Sequence, residues 1–525
     1  MNAATRIEFG DFQTPLDLAR QVCALLKERG LAPATVIEPT CGLGAFLVAA
    51  ADAFPKARLL GFDVNAEHLV VARESLRAQG SLDRTHLKTQ DFFVHDWDRE
   101  LQAAAQPVLL LGNPPWVTNA AVAGLNGTNV PVKENFQNFR GIEALTGKAN
   151  FDISEWMLIR LARALRGQAA TLAMLCKSGT ARKLLRFAWQ KDGRIAEASL
   201  HRFDAKKQFG VSVDACLLIV RFGSNGPHEA AVFDRLEARQ PATHLGLAGA
   251  DLVADIKTYR SLKHLEGLCP YQWRSGVKHD CASVMELRPA EDGSLTNKLG
   301  ERLRLEPECL YPLLKCSDLA NGRIVPSRTV IITQKRVGEE TDSIARRAPR
   351  TWDYLQAHAA HFRARKSSIY QQAAPFALFG IGDYSFAPWK VAVSGLHRQP
   401  RFLLVGPVQE RPVLFDDTCY FLPFTNEAEA ALVAEILNTP HCLDFLAALM
   451  FPDSKRPVTV ELLQRLNLSA IAEDAGLSAR WQALQRVRYT ASENAPQLEL
   501  VMEKRDGPAS TPPQPTRRKA ALLKR

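Results

Sequence analysis

An apolar run that ends in two consecutive prolines restricts the local fold more than any other stretch of the chain. Residues 108–111 are Val-Leu-Leu-Leu, and Asn113-Pro114-Pro115-Trp116 follow after one glycine. The apolar run predicts a buried strand. Because proline lacks an amide hydrogen and fixes φ, neither a strand nor a helix can continue through the two prolines. The sequence therefore predicts a strand that ends in a rigid turn.

The predicted turn combines hydrogen-bond acceptors with an aromatic ring. The side-chain oxygen of Asn113 and the carbonyl of Pro114 are acceptors, and Trp116 supplies a large π surface. A planar group that bears an amino group fits this arrangement, because both N–H bonds find an acceptor while the ring stacks on its face. A glutamine side-chain amide presents the same two N–H bonds, so the turn alone leaves the substrate open. We take Asn113, Pro114, Pro115 and Trp116 as the candidate catalytic residues.

The order of apolar runs predicts the fold class of the N-terminal part. At 525 residues the chain should form two or more domains. Up to about residue 235, short apolar runs alternate with helical stretches, which indicates a doubly wound α/β sheet. The predicted strands are 35–38, 58–62, 85–88, 108–111, 171–176, 196–202 and 215–222. The predicted helices include 15–27, 45–54, 66–78 and 153–165.

The C-terminal part has a different pattern. After residues 224–227, Ser-Asn-Gly-Pro, the alternation gives way to short strands, aromatic residues and Lys/Arg, with helices returning at 426–437 and 460–466. Residues 486–525 form a basic, Pro-containing tail, for which we expect helix and disorder. We therefore predict domains at 1–235 and 236–485, followed by this tail.

Charge and cysteine usage narrow the class of protein. The formal net charge of +10 favours a polyanionic partner. The ten cysteines are scattered without a C-x-x-C pair, which argues against a disulfide framework or structural zinc and favours a reducing cytoplasm. No apolar run approaches the length of a membrane span, and the N-terminus lacks the order of a signal peptide. We expect a cytoplasmic protein without a metal site.

A glycine-containing loop follows the first predicted strand. Residues 38–46 read Glu-Pro-Thr-Cys-Gly-Leu-Gly-Ala-Phe. Glycines let the backbone approach a ligand closely, and the carboxyl end of a first strand is where open α/β sheets bind ligands. The dinucleotide and phosphate-loop patterns are both incomplete here. An acid before the loop suits a cationic or hydroxyl-rich ligand. The candidate ligand residues are Glu38, Cys41, Gly42, Gly44 and Phe46.

Two acids and an N-terminal segment extend this predicted ligand pocket. Asp63 ends the second strand, where an acid commonly binds ribose hydroxyls. Asp91 follows the third strand and could accept a hydrogen bond from an adenine amino group while Phe92 packs on the ring. Taken singly, each has a structural interpretation as a solvated turn acid or a core aromatic. The remaining candidate ligand residues are Phe12, Thr14 and Pro15, just before the first predicted helix.

In this order the motifs resemble those of the N6-adenine DNA methyltransferases of restriction–modification systems. The matching segments are FxTP-like residues 12–15, ExxCGxGxF at 38–46, Asp63, Asp91-Phe92 and the turn 113–116. Residues 148–152 resemble the family's Lys…Asp stretch, and Phe209 best matches its later aromatic, with Phe203 as the alternative. The resemblance implies S-adenosylmethionine as cofactor and a Rossmann-like doubly wound methyltransferase domain. It also implies that Trp116 and Phe209 stack a flipped-out adenine.

The second region is expected to hold duplex DNA. Residues 273–280, 383–390 and 454–457 resemble target-recognition regions of such methylases, so we predict a mixed α+β target-recognition domain. Basic side chains suit contacts with phosphates and guanine edges. The candidate DNA contacts are Lys206, Lys207, Lys278, Lys335, Arg336, Arg365, Lys366, Lys390, Lys455 and Arg456. We find no Asp…Glu-x-Lys nuclease pattern, so a separately encoded restriction endonuclease is the expected protein partner.

Three other functions remain open from the sequence. The Asn-Pro-Pro-aromatic turn also occurs in methylases of RNA adenine and of protein glutamine, and a DNA-recognition subunit can keep the fold without the chemistry. The large second region favours DNA over the first two. The intact Glu38, Gly42, Gly44, Asp63, Asn113 and Trp116 argue against loss of activity.

Overall fold

The structure, a computed structural model, describes residues 13–117 and 152–493, with side chains up to residue 486. Phe12, most of the 148–152 stretch and the tail from residue 494 therefore lie outside the described residues. The strands are β1 Thr35–Glu38, β2 Arg58–Asp63, β3 Thr85–Thr89, β4 Val108–Gly112, β5 Ala170–Lys177, β6 Ile195–Asp204, β7 Asp214–Phe222, β8 Glu229–Phe233, β9 Thr243–Ala248, β10 Asp251–Val253, β11 Arg274–Ser275, β12 Glu286–Pro289, β13 Leu295–Thr296, β14 Arg302–Leu303, β15 Leu310–Leu314, β16 Thr329–Ile331, β17 Trp389–Ser394, β18 Leu403–Val405, β19 Leu414–Phe415 and β20 Cys419–Phe424.

Helices flank these strands along the chain. They are α1 Leu16–Glu28, α2 Ala45–Ala53, α3 Ala66–Ala78, α4 Trp97–Ala103, α5 Ile153–Ala164, α6 Ser178–Gln190, α7 Ala205–Phe209, α8 Ile256–Leu262, α9 Ala282–Met285, α10 Cys316–Ala320, α11 Ile344–Arg347, α12 Pro349–Ala357, α13 Ala359–Arg363, α14 Glu427–Leu437, α15 Pro440–Leu449, α16 Val460–Leu463, α17 Leu468–Asp474 and α18 Ser478–Glu493. Side chains cap several of them. Asn65 accepts from the amide of Glu67 at the start of α3, and Asp152 accepts from the amide of Ser154 at the start of α5.

The N-terminal half is built on a ten-stranded sheet in the order β10-β9-β8-β6-β7-β5-β4-β1-β2-β3. Strands β3, β2, β1, β4 and β5 are parallel neighbours, and β7 enters antiparallel between β5 and β6. Chain order reverses between β1 and β4, and open α/β sheets bind ligands at the carboxyl ends of the strands at such a point. The fold thus brings the end of β1, with Glu38, beside the end of β4, with the Asn113 turn.

The Rossmann-like fold predicted from the sequence is confirmed, but the sheet extends beyond the predicted boundary at residue 235. Strand β8 pairs in parallel with β6, from Ser199 opposite Ala231 to His201 opposite Phe233. Strands β9 and β10 continue the sheet antiparallel as far as Val253. The helices and strands predicted in the first 235 residues match the observed ones to within about two residues at each end.

The second region is mixed α+β, as predicted. It contains a four-stranded sheet, β11-β20-β17-β18, and a six-stranded sheet, β14-β13-β12-β16-β15-β19. Helices α14 to α17 pack over the four-stranded sheet around a shared apolar core that includes Val391, Leu422 and Phe445. No single helix among the described residues is long and apolar enough to cross a membrane. Only together do the bent helices α14 and α15 reach the length and apolar composition of a membrane span, and most of their apolar side chains are buried in this core.

A nearly buried ion pair joins the two regions next to the carboxyl edge of the sheet. Arg182, on the second turn of α6, donates two hydrogen bonds to the carboxylate of Asp453, at 2.8 and 2.6 Å. Its guanidinium also stacks on the ring of Phe451, 4.3 Å from the centroid. The side chains of Arg182 and Asp453 are only 13% and 8% exposed. Because α6 begins where β5 ends, this pair fixes the second region relative to the carboxyl edge of the sheet.

We expect Arg182→Met to lower the free energy of unfolding by about 3 kcal/mol, because it leaves the carboxylate of Asp453 buried and unpaired. The melting temperature in a thermal scan measures this change. Arg160→Met is the matched control, since the partner of Arg160, Asp98, has a side chain that is 52% exposed. Equal melting temperatures for the two variants would contradict a stabilising role for the buried pair.

Candidate active site at the carboxyl edge of the sheet

The glycine loop after β1 has a left-handed backbone conformation, which favours glycine, at two positions. Gly42 and Gly44 have φ of +49° and +84°. A Cβ atom at Gly44 would lie 2.8 Å from the Cβ of Ala72 on α3, and one at Gly42 would lie 2.6 Å from Oε1 of Gln13. The amide of Leu43 donates to the same Gln13 oxygen at 3.0 Å. The loop is therefore held close between α3 and the residues just before α1.

Asp63, at the end of β2, holds this loop in place. One carboxylate oxygen accepts from the amide of Gly42 at 2.8 Å, and the other accepts from the amide of Asn65 at 2.8 Å. The ring of His68 lies 3.5 Å from the second oxygen. Each carboxylate oxygen has a further lone pair. Asp63 thus supports the loop and keeps acceptor capacity for a ligand hydroxyl.

Glu38 is a buried carboxyl at the point where the strand order reverses. It is 3% exposed, and its Oε2 atom is buried with no hydrogen-bond partner among the described residues. Burial, and then the nearby charge of Asp63, raise the pKa of Glu38 well above its usual range. A cationic or hydroxyl-bearing group would supply the partner that Oε2 lacks. Together with the glycine loop and Asp63, this carboxyl fits S-adenosylmethionine, which carries an amino group and ribose hydroxyls.

Other predicted ligand residues support the pocket in different ways. Asp91 accepts from the amide of Phe93 at 2.9 Å and is partly exposed. Pro15 precedes α1 as its N-cap, and Thr14 lies against Asn113. The side chains of Cys41, Phe46 and Phe92 are buried in the core instead of facing an open cleft. Phe92 packs 4.9 Å from Trp97 and 6.2 Å from Trp156, centroid to centroid.

The turn 113–116 is fixed at both ends. Nδ2 of Asn113 lies 3.4 Å from Oγ1 of Thr14, which directs the amide oxygen to the other side of the side chain. At the far end, Nζ of Lys177 donates to the carbonyl of Trp116 at 3.0 Å. Lys177 was not identified from the sequence, because its contact depends on β4 and β5 being neighbours in the sheet. The turn is thus a rigid element beside Glu38 and the glycine loop.

Trp116 belongs to a cluster of three aromatic rings. The indole is 7% exposed and donates to the carbonyl of Leu175 at 3.3 Å. Phe209 lies 5.3 Å from it at an interplanar angle of 68°, and Phe203 lies 6.4 Å away at 41°. Both candidates for the second stacking face, Phe209 and Phe203, therefore lie beside Trp116. A base sandwiched between two rings needs their planes about 7 Å apart, twice a van der Waals contact, so one ring must shift first.

Two of the predicted DNA contacts are corrected by the structure. Lys390 is 1% exposed and donates to the carbonyl of Ala387 at 2.6 Å, and burial lowers its pKa to about 7. It packs inside the second region and cannot contact a phosphate from there. Arg365 donates to the carbonyl of Ala377 at 2.8 Å, and its guanidinium stacks 3.6 Å from the Tyr370 ring centroid. Its donors are largely used within the protein.

The other basic candidates lie at the surface or in ion pairs. Those that are exposed are Lys206, Lys207, Lys335, Lys366 and Lys455. Those paired with a carboxylate are Lys278 with Asp280, Arg336 with Asp383, and Arg456 with Asp417. The exposed lysines carry charge that a polyanion could neutralise.

Comparisons with known proteins show which family the chain resembles. The type II methyltransferase M.NspV of Nostoc sp. is 40% identical over 473 residues, which are 89% of this chain and 98% of the relative. The type II methyltransferase M.XamI of Xanthomonas campestris pv. amaranthicola is 31% identical over 108 residues, 21% of this chain and 20% of that protein. The type IIL restriction-modification enzyme MmeI, solved in complex with DNA, shares the fold with a TM-score of 0.53 at 13% identity, covering 89% of this chain and 69% of that one. No model of a protein family matches the chain.

Proposed function

The chain belongs to the type II methyltransferases, and we propose that it methylates N6 of an adenine in a specific sequence of duplex DNA. S-adenosylmethionine is its methyl donor. The observation that carries the proposal is the place of the Asn-Pro-Pro-Trp turn, at the end of β4 and directly beside the buried carboxyl of Glu38 at the end of β1. The protein would act as the modification component of a restriction–modification system, with a separately encoded endonuclease as partner.

The residues at the end of β1 would bind the methyl donor, and those at the end of β4 would bind the adenine. When bound, S-adenosylmethionine supplies an electrophilic methyl group. Glu38 would bind its amino group, and Asp63 would bind its ribose hydroxyls. The glycine loop would let the protein backbone approach it closely. Asn113 and the carbonyl of Pro114 would accept the two N6 hydrogens of adenine, which favours a pyramidal nitrogen with a localised lone pair. Positioning and electrostatics then lower the barrier without a strong general base.

The target base must leave the duplex before it can reach this turn. Trp116 would form one face of the base pocket, because its indole N–H and the prolines before it hold the ring in place. Phe209 would form the other face after moving away from Trp116. It ends the five-residue helix α7 and precedes Gly210, which has φ of +72°. Movement of this short element would separate the rings without disturbing the sheet.

We expect Phe209→Ala to lower kcat/KM for DNA by about 10- to 100-fold, since one base–aromatic stack contributes roughly 1–3 kcal/mol. Steady-state kinetics with duplex DNA measure the loss. Phe203→Ala is the control, because the ring of Phe203 lies farther from Trp116. A larger loss for Phe203→Ala would move the second face of the pocket to Phe203.

Several features favour DNA over RNA or protein as the substrate. Beyond the sheet, the chain carries a second region with its own two sheets and exposed lysines. The Arg182–Asp453 pair holds this region against the carboxyl edge of the sheet, where the catalytic turn lies. A second wall in this position suits a duplex that must be held while one base is extruded.

Base-resolution mapping of methylated adenine in a bacterial host that expresses the chain tests this function. We expect full methylation at one short sequence, and a strongly reduced methylated fraction in a host that expresses Asn113→Ala at the same level. Methylation that is absent, or scattered without a common sequence, would overturn sequence-specific adenine modification.

A further inference from the structure

We propose that Lys177 is a positioning residue that sets the orientation of the catalytic turn, a role that rests on the proposed function. Lys177 is the last residue of β5, and β5 is the parallel neighbour of β4, from which the turn emerges. Its ammonium therefore lies at the same edge of the sheet as Asn113. Its side chain is 27% exposed and points back toward the turn instead of into solvent.

The ammonium joins three elements at one point. It donates to the carbonyl of Trp116 at 3.0 Å and to Oδ2 of Asp152 at 2.6 Å. The other oxygen of Asp152 accepts from the amide of Ser154 at 3.0 Å and so caps α5. The amide of Ile153 in turn donates to the carbonyl of Val117 at 2.9 Å. The end of the turn, the start of α5 and the end of β5 are thereby tied together.

This anchor supplies a constraint that the prolines lack. Proline fixes φ at residues 114 and 115 but leaves ψ free, so the two prolines alone do not fix the direction of the backbone after the turn. The ladder of β4 holds the near end of the turn, and Lys177 holds the far end through the Trp116 carbonyl. With both ends fixed, the Pro114 carbonyl and the Asn113 side chain keep one orientation. Asp152 balances the charge of the ammonium, so its effect on the site is chiefly geometric.

The chain offers a matched control for a purely structural contribution. Lys183, farther along α6, binds Oε2 of Glu155 on α5 at 2.6 Å. This pair links α6 to the same helix α5 through the same chemistry, and Lys183 donates to Glu155 where Lys177 donates to the carbonyl of Trp116. Loss of either lysine removes one ion pair to a buried carboxylate. Only loss of Lys177 releases the Trp116 carbonyl.

The test compares Lys177→Met, Lys177→Gln, Lys177→Arg and Lys183→Met in the full chain. Methyl transfer from labelled S-adenosylmethionine to duplex DNA gives kcat and KM, equilibrium dialysis gives donor affinity, and a thermal scan gives the melting temperature. We expect Lys177→Met and Lys177→Gln to lower kcat by about 10- to 100-fold, the cost of a small misplacement of reacting groups. Donor affinity should stay near the native value. Lys177→Arg should recover most of the rate, and Lys183→Met should keep the native kcat.

Three results would overturn this role. One is an equal loss of kcat in the Lys177 and Lys183 variants, and another is a loss that follows the melting temperature across the series. The third is a loss of donor affinity as large as the loss of kcat, which would place Lys177 in the donor site. The identity of the labelled base in the native product is read from the same reactions. Label in a base other than adenine overturns the proposed function, while the ratio between variants still decides the role of Lys177.

Discussion

Asn113→Ala is expected to lower methyl transfer to DNA by at least about 10²- to 10³-fold, the effect of removing one preorganised polar group at a reacting centre. The side-chain oxygen of Asn113 is one of two acceptors for the N6 hydrogens in the proposed mechanism. Without it the lone pair of N6 stays delocalised into the ring. The Asn113 side chain is not part of the glycine loop, and its amide nitrogen lies 3.4 Å from Oγ1 of Thr14. Donor affinity should therefore remain near the native value.

Single-turnover kinetics and equilibrium dialysis with labelled donor measure the two quantities separately. Thr14→Val is the matched control, because it keeps the shape of the side chain and removes only the oxygen that lies 3.4 Å from the Asn113 amide nitrogen. We expect a smaller loss of rate in this control. A native rate of methyl transfer by Asn113→Ala would contradict the catalytic role of Asn113. A parallel loss of donor binding would assign Asn113 to the donor site instead.

Glu38→Gln is expected to stabilise the fold at neutral pH and to weaken donor binding by about 10- to 100-fold, the range for a hydrogen bond to a charged group. Burial and the charge of Asp63 hold the pKa of Glu38 well above its usual range. Because the folded chain keeps this proton to higher pH than the unfolded chain, the stabilising contribution of Glu38 is complete below its unfolded pKa. It is lost as pH rises through the folded pKa. Glutamine never ionises, so the variant avoids this loss.

The two effects of Glu38→Gln separate with pH. The gain in melting temperature over the native chain should vanish in acid, below the unfolded pKa of a glutamate, and grow as pH rises. Donor affinity of the native chain should rise with pH, since the ionised carboxylate pairs best with a cationic amino group, while that of the variant should change much less. Calorimetric titration and thermal scans at several pH values measure both. Unchanged donor affinity in the variant would remove Glu38 from the cofactor site.

The N-terminal sheet could be predicted because its strands have a local signature. Runs such as those of β4 and β5 are buried on both faces, so they appear as unbroken apolar segments between turns. The side-chain caps of α3 and α5, Asn65 and Asp152, mark the starts of predicted helices. The order of these elements brought the predicted donor loop and catalytic turn together, because β1 and β4 are neighbours at the reversal of strand order.

The second region could not be predicted in detail because its elements are short. Strands such as Arg274–Ser275 and Leu295–Thr296 have two residues, too few to show a period. Lys390 is an example of a wrong prediction that follows from this lack of a local pattern. It looks exposed in the sequence, but it lies on β17, the strand between β18 and β20, and its side chain is buried. A tertiary contact, not a local pattern, decides its role.

The contacts of Lys177 and the packing of Trp116 could not be predicted from the sequence for a related reason. Lys177 meets the Trp116 carbonyl across 61 residues of sequence. The sequence identified Phe209 and Phe203 as alternatives, and the structure places both beside Trp116, with Phe209 nearer. Only the three-dimensional arrangement shows that these rings now contact each other and that one must move to admit a base.

Identification of the methylated product tests the central proposal most directly. Duplex DNA, an RNA duplex of the same sequence and a glutamine-containing protein are each incubated with the purified chain and labelled S-adenosylmethionine, and the products are hydrolysed and separated. The proposed function predicts label in N6-methyladenine from the DNA duplex. Label in a cytosine derivative, in RNA adenine or in methylglutamine would contradict it.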